Sequence, residues 1–472
     1  MVSTSKIVPA KSRKQNYESK TAMTREERRA AGKALRDKVS RKAHAEWKAP
    51  AGRQDPIDVL IVSSTGRIPH LIPIRYGRMM QSPFTFYRGA AAIMAGDLAA
   101  TAVSGIRVQA CGDCHLRNFG AFGTPERRIA FDINDFDETL PAPWEWDVKR
   151  LAASFVIAGR NNGFRKTVAR EMAQRSVRAY REHMSSYADM RVLDRWYERI
   201  DIDAIIARLE TREMKKGLQR QITKASSRSV LEDDFPKLAG VENGKARIKD
   251  NPPLIFHQSA VGGAEWEQLV TEAFRRYRDT LADHLKALVD HYEIQDVAVK
   301  VVGVGSVGTQ CAILLMMAGD DDPLFLQVKE ARASVLEPYA GKSIYANHGQ
   351  RVVAGQRLMQ AASDMFLGWT KGVAGRHLYI RQLRDIKISP LVETYDEPAM
   401  EKHAEHCGWA LARAHAKSGD PAVISGYLGN SERFDEAVAD FAVAYADQNE
   451  QDHAALLKAI GAGKIEVVRE TG

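Results

Sequence analysis

The sequence predicts an α+β fold that combines a small antiparallel sheet with a larger, mainly helical part. Three short segments rich in Val, Ile and Leu alternate with turn residues, as is typical of antiparallel strands. These segments are residues 298–304, 309–317 and 324–330. Longer stretches repeat apolar residues with the 3.6-residue period of helices, at 146–159, 165–220, 397–415 and 432–460. Because 472 residues exceed the size at which one core stops growing, about 250 to 300 residues, more than one structural unit is expected.

The chain divides into four expected segments. They are a basic arm with a helix at 1–55, a helical part with a polar loop at 56–295, the sheet with a Gly-rich turn at 296–390, and C-terminal helices at 391–472. Thr24 and Glu27 form a capping box, which predicts a helix from Thr24 to Trp47. Basic clusters, Ser, Gly and Pro at residues 215–253 predict a long exposed loop.

Composition is that of a globular protein, because 44% of the residues are apolar and 27% are charged. No stretch approaches about 18 uninterrupted apolar residues, so the sequence predicts no membrane-spanning helix. The N-terminal segment lacks the apolar region of a secretory signal, and a cytoplasmic location is therefore expected. The four cysteines are too few to stabilise a chain of this length by disulfide bonds, and they are expected as thiols.

The net charge of +8 is concentrated near the N-terminus. Residues 1–55 contain fifteen Lys or Arg and six Asp or Glu, a balance of +9, so the remaining residues sum to about −1 (+8 minus +9). A basic arm can bind nucleic acid or an anionic membrane. The favoured interpretation is a solvated surface helix with a frayed tail, and nucleic acid is not an expected partner.

The segment Cys111-Gly112-Asp113-Cys114-His115 is compatible with two chemistries. Its sulfurs form the C-x-x-C-H pattern that attaches a c-type haem, whereas Asp113 and the nearby Asn118 are typical of a phosphotransferase loop. Haem attachment belongs to exported proteins. A zinc or redox site lacks a second C-x-x-C, because Cys311 and Cys407 are isolated. The phosphotransferase interpretation is therefore favoured.

A Gly-rich turn separates the first two predicted strands. Gly303, Gly305 and Gly308 form a G-x-G-x-x-G pattern that includes Ser306. In a dinucleotide-binding fold this pattern opens a helix, but the residues that follow it here predict a strand. Glycines at a hairpin tip let backbone amides cover the phosphates of a nucleotide. Lys329, on the strand beyond, is expected to reach the α- and β-phosphates.

A phosphoryl-transfer site needs a carboxylate for the proton of the attacking hydroxyl, and oxygen ligands for Mg²⁺. Asp113 fits the first role, and Asn118 with a carboxylate from residues 132–137 fits the second. Asp132 and Asp135 are both candidates for the carboxylate ligand of Mg²⁺, since their spacing from Asp113 does not decide between them. ATP and Mg²⁺ are therefore the expected cofactors. The expected partners are a nucleotide and an unidentified small-molecule or protein acceptor.

Two motifs carry a resemblance to a known family. Gly112 to Asn118 is similar to the G-D-x-H-x-x-N loop of aminoglycoside phosphotransferases and related kinase-like enzymes, and Trp146 to Ala152 looks like the helix start after their metal-binding Asp. From about residue 25 to 460 the chain resembles the bacterial family called domain of unknown function 2252. The resemblance implies a two-lobed, protein-kinase-like fold. It makes His115 part of the catalytic loop, and Gln382 part of a nucleotide-binding hinge strand at 377–383.

The order of these parts differs from that in an ordinary kinase. There the Gly-rich turn and the lysine precede the catalytic loop, whereas here the loop at 112–118 precedes the turn at 303–309. The resemblance therefore implies a circular permutation, which leaves the packed core and the site unchanged. The predicted helix at 347–363, in the place of helix C, contains no Glu to orient Lys329. The alternatives to an active kinase are a nucleotide-binding pseudokinase or regulatory protein, and a protein nucleotidyltransferase.

Three arginines, Arg75, Arg78 and Arg88, lie among aromatic residues before the polar loop. They could hold phosphate by bidentate contacts, or they could pack with their stems along apolar surface. Packing is the favoured interpretation.

Overall fold

The structure is a computed structural model that describes residues 23–208, 212–226, 234–242, 244–257, 264–301, 303–319, 322–372, 375–383 and 386–469. The predicted frayed tail at 1–22 lies outside these ranges. The described residues form the mixed α+β fold that the sequence predicts. None of the described helices is both long and apolar enough to cross a lipid bilayer.

Eighteen α-helices lie in the described ranges. They are α1 Arg25–Ala34, α2 Pro56–Ser63, α3 Ile72–Met79, α4 Pro83–Gly89, α5 Ala91–Ala99, α6 Trp144–Asn161, α7 Lys166–Asp189, α8 Val192–Tyr197, α9 Ile202–Arg208, α10 Arg212–Ser226, α11 Phe235–Leu238, α12 Ala264–Arg278, α13 Asp283–Val289, α14 Glu337–Ala340, α15 His348–Met359, α16 Glu397–Ser418, α17 Pro421–Leu428 and α18 Arg433–Gly461. The long helices predicted near the middle and the end of the chain are therefore present.

Thirteen strands lie in the same ranges. They are β1 Arg107–Ala110, β2 Phe119–Gly123, β3 Ile129–Ile133, β4 Leu140–Pro143, β5 Ala239–Glu242, β6 Lys245–Ile248, β7 Ile255–Phe256, β8 Glu293–Lys300, β9 Cys311–Met317, β10 Pro323–Glu330, β11 Gly368–Lys371, β12 His377–Gln382 and β13 Lys387–Ile388. Six of them form one antiparallel sheet in the order β11-β12-β10-β9-β8-β7. Smaller sheets pair β1 with β4, β2 with β3 and β13, and β5 with β6.

Both faces of the six-stranded sheet are covered, which explains why β9 is apolar at nearly every position. Leu314 and Met316 pack against residues of α12 and α13 on one face. Ile313 and Leu315 pack on the other face against the hairpin formed by β5 and β6. On the neighbouring strand β10, Lys329 pairs with Cys311 of β9 and with Tyr379 of β12. The interior position of β10 therefore fixes the backbone of the lysine from both sides.

The prediction of an exposed loop at 215–253 is wrong. Helix α10 continues through this segment to Ser226, and the hairpin of β5 and β6 occupies 239–248. The sheet and its cover therefore extend beyond the expected segment 296–390. The hairpin buries few side chains, among them Ala239 and Ile248, whereas Val241 is exposed. With so few buried positions, the period-2 signal of a strand is weak in the sequence.

Helix α6 lies at the centre of the helical part, where it packs against α7 and α18. Every residue from Trp144 to Gly159 is buried. The Trp144 ring stacks on Tyr180 of α7 with a centroid distance of 5.6 Å. Helices α7 and α16 approach closely at Gly408, where a Cβ would collide with the carbonyl oxygen of Ser176. Because α6 is closely packed, its buried charged residues are held in fixed positions from which they can contact the neighbouring loops.

The described part of the N-terminal arm belongs to the folded helical part. The predicted capping box of Thr24 and Glu27 is present. The helix ends at Ala34, however, and only short 3₁₀ turns follow it before Trp47. Helix α1 packs against α17 so tightly that a Cβ at Gly32 would collide with a backbone carbonyl. The arm therefore contributes packing as well as positive charge.

Candidate active site

Most of the residues predicted for phosphoryl transfer line one cleft of about 880 Å³. The cleft lies where the Gly-rich turn meets α2, α4 and the loops that follow β1 and β3. The predicted residues in its lining are Asp113, His115, Asn118, Asp135, Gly303, Gly305 and Ser306. The lining also contains Asp137 and Glu138, which the sequence did not single out. The fold thus brings the polar loop and the Gly-rich turn together.

The loop after β1 is held in place from α6. The backbone N–H groups of Cys111 and Gly112 donate to the two oxygens of Asp147, at 2.7 and 3.0 Å. Further along, Leu116 N–H donates to Ser154 Oγ at 3.1 Å. Gly112 has a φ of 82°, and a Cβ there would collide with the carbonyl oxygen of Glu138. This close approach, together with the positive φ, explains why glycine precedes Asp113.

Asp113 is bound by a buried arginine on α6. Arg150 Nε donates to Asp113 Oδ1 at 2.8 Å, and Arg150 Nη2 donates to the same oxygen. The guanidinium lies over the Tyr87 ring, 4.4 Å from its centroid. Burial opposes the charge of Arg150, but Asp113 outweighs this effect and raises the pKa of the guanidinium. The pair therefore fixes Oδ1 and leaves Oδ2 as the oxygen available to a ligand.

His115 and Asn118 complete the loop around Asp113. His115 Nε2 lies 3.9 Å from Asp113 Oδ2. Burial, followed by the charges of Arg88 and Arg150, lowers the pKa of His115 well below its usual value, so the imidazole is neutral. Asn118 Nδ2 donates to the backbone oxygen of Asp113 at 2.8 Å. Because the nitrogen is used in this way, the amide oxygen of Asn118 is the atom that could bind a cation.

Lys329 enters the site from β10 and pairs with the second Asp of the Asp135-Phe136-Asp137 segment. Its Nζ lies 2.7 Å from Asp137 Oδ2 and 3.9 Å from Asp135 Oδ2. Tyr379 donates its hydroxyl to Asp137 Oδ1 at 2.5 Å. Asp135 Oδ1 accepts the Asp137 N–H at 3.1 Å. Asp137 is thus fully engaged, whereas about a third of the Asp135 side chain, 35%, remains exposed to the cleft.

The two aspartates have opposite pKa shifts. Burial, followed by the nearby charge of Asp137, raises the pKa of Asp135. Burial also opposes the charge of Asp137, but Lys329 and Tyr379 outweigh it and lower the pKa of that carboxyl. The two carboxylates in turn raise the pKa of Lys329 well above its usual value despite burial. The site therefore holds a permanent ammonium beside one carboxylate that lacks full charge compensation.

Asp132, the competing metal ligand, lies outside the cleft. It is 1% exposed, and Arg413 Nη2 donates to its two oxygens at 2.9 and 2.7 Å. The Ala361 N–H also donates to Oδ2, at 3.0 Å. These contacts tie β3 to α16 and to the end of α15. Asp132 is therefore a structural residue here, and Asp135 is the aspartate that faces the cleft.

The Gly-rich turn packs against the segment before the polar loop. Gly308, at a φ of 83°, accepts the Ile68 N–H at 2.7 Å and is not in the cleft lining, unlike Gly303 and Gly305. The strand that follows the turn excludes the helix of a dinucleotide-binding fold, as the sequence predicts. Arg78 Nη1 donates to the Gly303 carbonyl. Arg78 is thus part of the packing.

Gln382 does not reach the main cleft. It borders a separate cavity of about 150 Å³ that is also lined by Asp364 and Arg381. Its backbone N–H, which a hinge would offer to a base, donates instead to Asp364 Oδ2 at 2.5 Å. Arg381 Nε donates to Gln327 Oε1 at 3.0 Å, so these side chains occupy the space beside the strand. Gln382 is therefore separated from the Gly-rich turn, and its contact with a nucleotide stays a prediction.

The predicted helix at 347–363, which contains no Glu, contacts the loop that follows β3. Helix α15 carries Arg351, whose Nη2 donates to the carbonyl oxygens of Asp137 and Arg332, both at 2.8 Å. Its Nη1 donates to the Thr139 carbonyl at 2.6 Å. The helix thus holds the backbone of the Asp-containing loop. The carboxylate that contacts Lys329 comes from that loop, as Asp137.

The cysteines of the polar loop are packed in the core. Cys111, Cys114 and Asp147 form the only cluster of three potential metal-ligating side chains in the described part of the chain. Both Asp147 oxygens already accept backbone N–H groups. Burial raises the pKa of Cys114 to about 11 and raises that of Cys111 well above its usual value, so both are thiols. The structure offers these sulfurs no exposed surface for a haem or a redox partner.

Comparison with known proteins identifies the family. Neither the search of curated proteins nor the search of solved structures found a match. One family model, described as an uncharacterized protein conserved in bacteria, matches residues 67–459. The matched region includes the polar loop, the Gly-rich turn and Lys329. The chain therefore belongs to this bacterial family, domain of unknown function 2252.

Proposed function

We propose that the protein is an ATP- and Mg²⁺-dependent phosphotransferase of a circularly permuted, kinase-like type. Its acceptor would be a hydroxyl group of a small molecule or protein. The observation that carries the proposal is the contact between Lys329 and Asp137, which are 192 positions apart, in the wall of the cleft that contains Asp113. Carboxylates and a Gly-rich turn in one cleft, with a lysine paired to one of those carboxylates, are the parts that phosphoryl transfer needs.

Asp113 would position the attacking hydroxyl. Its Oδ1 is held by Arg150, so Oδ2 accepts the hydroxyl hydrogen bond. In the transfer step, the hydroxyl oxygen bonds to the γ-phosphorus of ATP, the bond from that phosphorus to the bridging oxygen breaks, and ADP leaves. The hydroxyl proton passes to Asp113 Oδ2. Because Arg150 fixes Oδ1, Asp113 would also hold the hydroxyl in the orientation for attack.

Asn118 and Asp135 are the residues that would bind Mg²⁺. Their oxygens are the hard ligands that this ion prefers, and burial beside Asp137 raises the pKa of Asp135, so a cation there would relieve repulsion. When bound, Mg²⁺ would neutralise charge on the transferring phosphates. Lys329, held in position by its ion pair with Asp137, would contact the α- and β-phosphates. The backbone from Gly303 to Ser306 would cover the phosphates.

Thermal stabilisation by Mg-ATP tests the proposal. We expect wild-type protein to unfold at a higher temperature in millimolar Mg-ATP, because a ligand that binds the folded state stabilises it. Lys329→Met should lose this shift. Lys149→Met is the matched control and should keep the shift, since Lys149 is also a buried lysine but contacts the Ala102 carbonyl and the Phe441 ring instead of a carboxylate of the cleft. The proposal fails if folded wild-type protein shows no shift, or if Lys329→Met and Lys149→Met respond alike.

Asp113→Asn separates binding from turnover. The variant should retain the thermal shift with Mg-ATP and lose transfer, because the carboxylate oxygen that accepts the proton is gone. Nucleotide binding without turnover in the wild type, with all candidate acceptors, would favour the pseudokinase alternative. Turnover that is unaffected in Asp113→Asn would contradict the role given to this residue.

One observation favours nucleotidyl transfer as a second candidate. The Gln382 backbone N–H and the Arg381 side chain are engaged within the protein, so the hinge side offers little to an adenine. The lining of the main cleft includes apolar side chains, among them Val59, Ala92 and Tyr339. A nucleotide with its base against these side chains could present its α-phosphate to the site. Transfer of label from α-labelled but not γ-labelled ATP would establish this alternative, and the converse would exclude it.

A further inference from the structure

Three arginines converge on Ser63, at the C-terminal end of α2: Arg67 and Arg75 shortly follow this helix, and Arg332 comes from a distant part of the chain. Arg67 Nε and Arg332 Nη1 donate to the Ser63 carbonyl at 3.0 and 3.3 Å. Arg75 Nη2 donates to Ser63 Oγ at 3.1 Å and to the Gly89 carbonyl at 3.0 Å. Arg88 directly precedes Gly89. All four arginines line the cleft, and they are called the arginine cluster below.

The arginine cluster lacks carboxylate partners. Among the described residues, none of its four members forms an ion pair with Asp or Glu, and Arg88 Nε is buried with no hydrogen-bond partner. Two buried arginines elsewhere are paired, Arg181 with Asp435 and Arg413 with Asp132. Arg351, like the cluster, donates to backbone carbonyls. In place of carboxylates, the cluster has backbone carbonyls, some of them at the negative end of α2. Carbonyls compensate a guanidinium only in part.

The pKa shifts of two members also indicate that the positive charge of the arginine cluster is not fully compensated. Burial, followed by the charges of Arg75 and Arg332, lowers the pKa of Arg67 to about 9. Burial likewise lowers the pKa of Arg75 to about 10. The positive charges of Arg67, Arg75 and Arg332 thus oppose one another in the protein alone, and Glu138 offsets this effect only in part at Arg67. A bound anion would remove this opposition and would accept hydrogen bonds from the free N–H groups.

We propose that the arginine cluster binds a phosphate group. Guanidinium groups match the geometry of phosphate oxygens, and several of them around one cavity suit a multiply charged anion better than a single carboxylate. The site borders the Gly-rich turn, because Arg67 Nη1 donates to the Val307 carbonyl at 2.6 Å. A Cβ at Gly305 would lie 3.3 Å from the Arg88 carbonyl. The bound phosphate therefore lies next to the site of transfer.

The phosphate has two possible sources, and only the choice between them rests on the proposed function. It belongs either to an acceptor that already carries a phosphate group, or to the nucleotide. Binding of inorganic phosphate or pyrophosphate to the cluster requires neither turnover nor ATP. Failure of the proposed function and failure of this inference are thus separate outcomes.

Isothermal titration calorimetry with sodium pyrophosphate and sodium phosphate tests the inference. Arg88→Gln is the leading variant, since this side chain loses no hydrogen bond in the free protein. Arg332→Gln is a second variant from a distant segment. Arg41→Gln is the matched control, because Arg41 also donates to a backbone carbonyl, that of Leu428, but is not in the cleft lining.

We expect wild-type protein and Arg41→Gln to bind pyrophosphate with equal affinity. Arg88→Gln and Arg332→Gln should each bind it about tenfold more weakly, the effect of losing one hydrogen bond to a charged group. The inference is overturned if the folded wild type binds neither anion at about 10 mM, a Kd worth only about 3 kcal/mol, or if the two cluster variants bind as the wild type does.

Titration of Mg-ATP into the same variants then identifies the source. If Arg88→Gln and Arg332→Gln keep the wild-type affinity for Mg-ATP, the cluster binds a phosphate of the acceptor. If they lose Mg-ATP affinity in parallel with pyrophosphate affinity, it binds a phosphate of the nucleotide. Lys329→Met provides the complementary test: pyrophosphate binding should persist in this variant when the cluster is an acceptor site.

Discussion

Lys329 on β10 and Asp137 on the loop after β3 form an ion pair with 2.7 Å between Nζ and Oδ2. This contact joins the six-stranded sheet to the loop that carries Asp135. The resemblance to kinases would put residues 347–363 in the place of helix C, and these residues contain no glutamate to orient the lysine. In this chain Asp137 contacts the lysine, and Tyr379 holds the other oxygen of Asp137. The lack of that glutamate therefore does not leave Lys329 without a carboxylate.

Asp137→Asn should destabilise the fold. It leaves the buried ammonium of Lys329 with only Asp135, 3.9 Å away. Breaking a buried pair from one side costs about 3 kcal/mol, so the free energy of unfolding in urea should fall by about that amount. Asp135→Asn is the matched control and should change stability by less than about 1 kcal/mol, because it removes repulsion with Asp137. The reverse ranking of the two variants would contradict the assignment.

Asp132 and Asp135 should differ in their effect on the metal ion. Asp132→Asn deprives the fully buried Arg413 of its charged partner and should lower the free energy of unfolding by about 3 kcal/mol. It should leave the Mg²⁺ dependence of ATP binding intact. Asp135→Asn should remove the Mg²⁺ dependence of ATP binding and should leave the free energy of unfolding nearly unchanged. Calorimetric titration of ATP with Mg²⁺ and with EDTA checks both, and loss of Mg²⁺ dependence in folded Asp132→Asn would restore that residue as the ligand.

Two glycines provide a matched test of the polar loop. Gly105 and Gly112 both have positive φ, 88° and 82°. A Cβ at Gly105 meets nothing within 4 Å, whereas one at Gly112 would collide with the Glu138 backbone. Gly105→Ala should therefore cost about 1 kcal/mol through φ alone. Gly112→Ala should cost about 1 to 3 kcal/mol more through overpacking. Equal melting temperatures for the two variants would mean that the loop can move away from Glu138.

Glu138 should make stability depend on pH. Burial raises its pKa from 4.5 to about 7, although Arg351 acts in the opposite direction. Because the pKa is higher in the folded state, the protonated carboxyl is favoured by folding. The protonated carboxyl of Glu138 therefore contributes to the free energy of unfolding. This contribution is complete below about pH 4.5 and is lost as the pH rises through 7. Glu138→Gln, which stays neutral, should gain about 2 to 3 kcal/mol over the wild type between these limits.

Urea denaturation over this pH range measures the effect of Glu138→Gln. The comparison with wild type isolates Glu138, since other buried acids such as Asp435 titrate in both proteins. If the two stability curves run parallel between about pH 4.5 and 8, the raised pKa of Glu138 has no role in stability.

The sequence was most informative where a pattern repeats over many buried positions. Strands β9 and β10 and helices α16 and α18 fall where apolar residues predict them. The hairpin of β5 and β6 was missed because it buries few side chains. The helix from Thr24 stops at Ala34, before the predicted end at Trp47. A good N-cap predicts where a helix begins and says little about its length.

Side-chain direction limited the prediction of the site. Asp132 and Asp135 are close in sequence, but Asp132 lies on β3 and points to Arg413, whereas Asp135 follows the end of the strand. Spacing alone cannot separate two such residues. The sequence singled out Arg75 and Arg88 as possible phosphate ligands, but it could not predict the full arginine cluster, since Ser63 and Arg332 are 269 positions apart. Asp137 could have been found, because it is the second carboxylate of the Asp-Phe-Asp segment.

The most direct test of the proposed phosphotransferase site is a crystal structure with a non-hydrolysable ATP analogue and Mg²⁺. We expect the phosphates to lie between Lys329 and the turn from Gly303 to Ser306. The metal ion should be bound by Asn118 and Asp135, with Asp113 Oδ2 facing the γ-phosphate. A nucleotide bound outside this cleft, or phosphates that contact neither Lys329 nor Asp135 through the metal, would contradict the account.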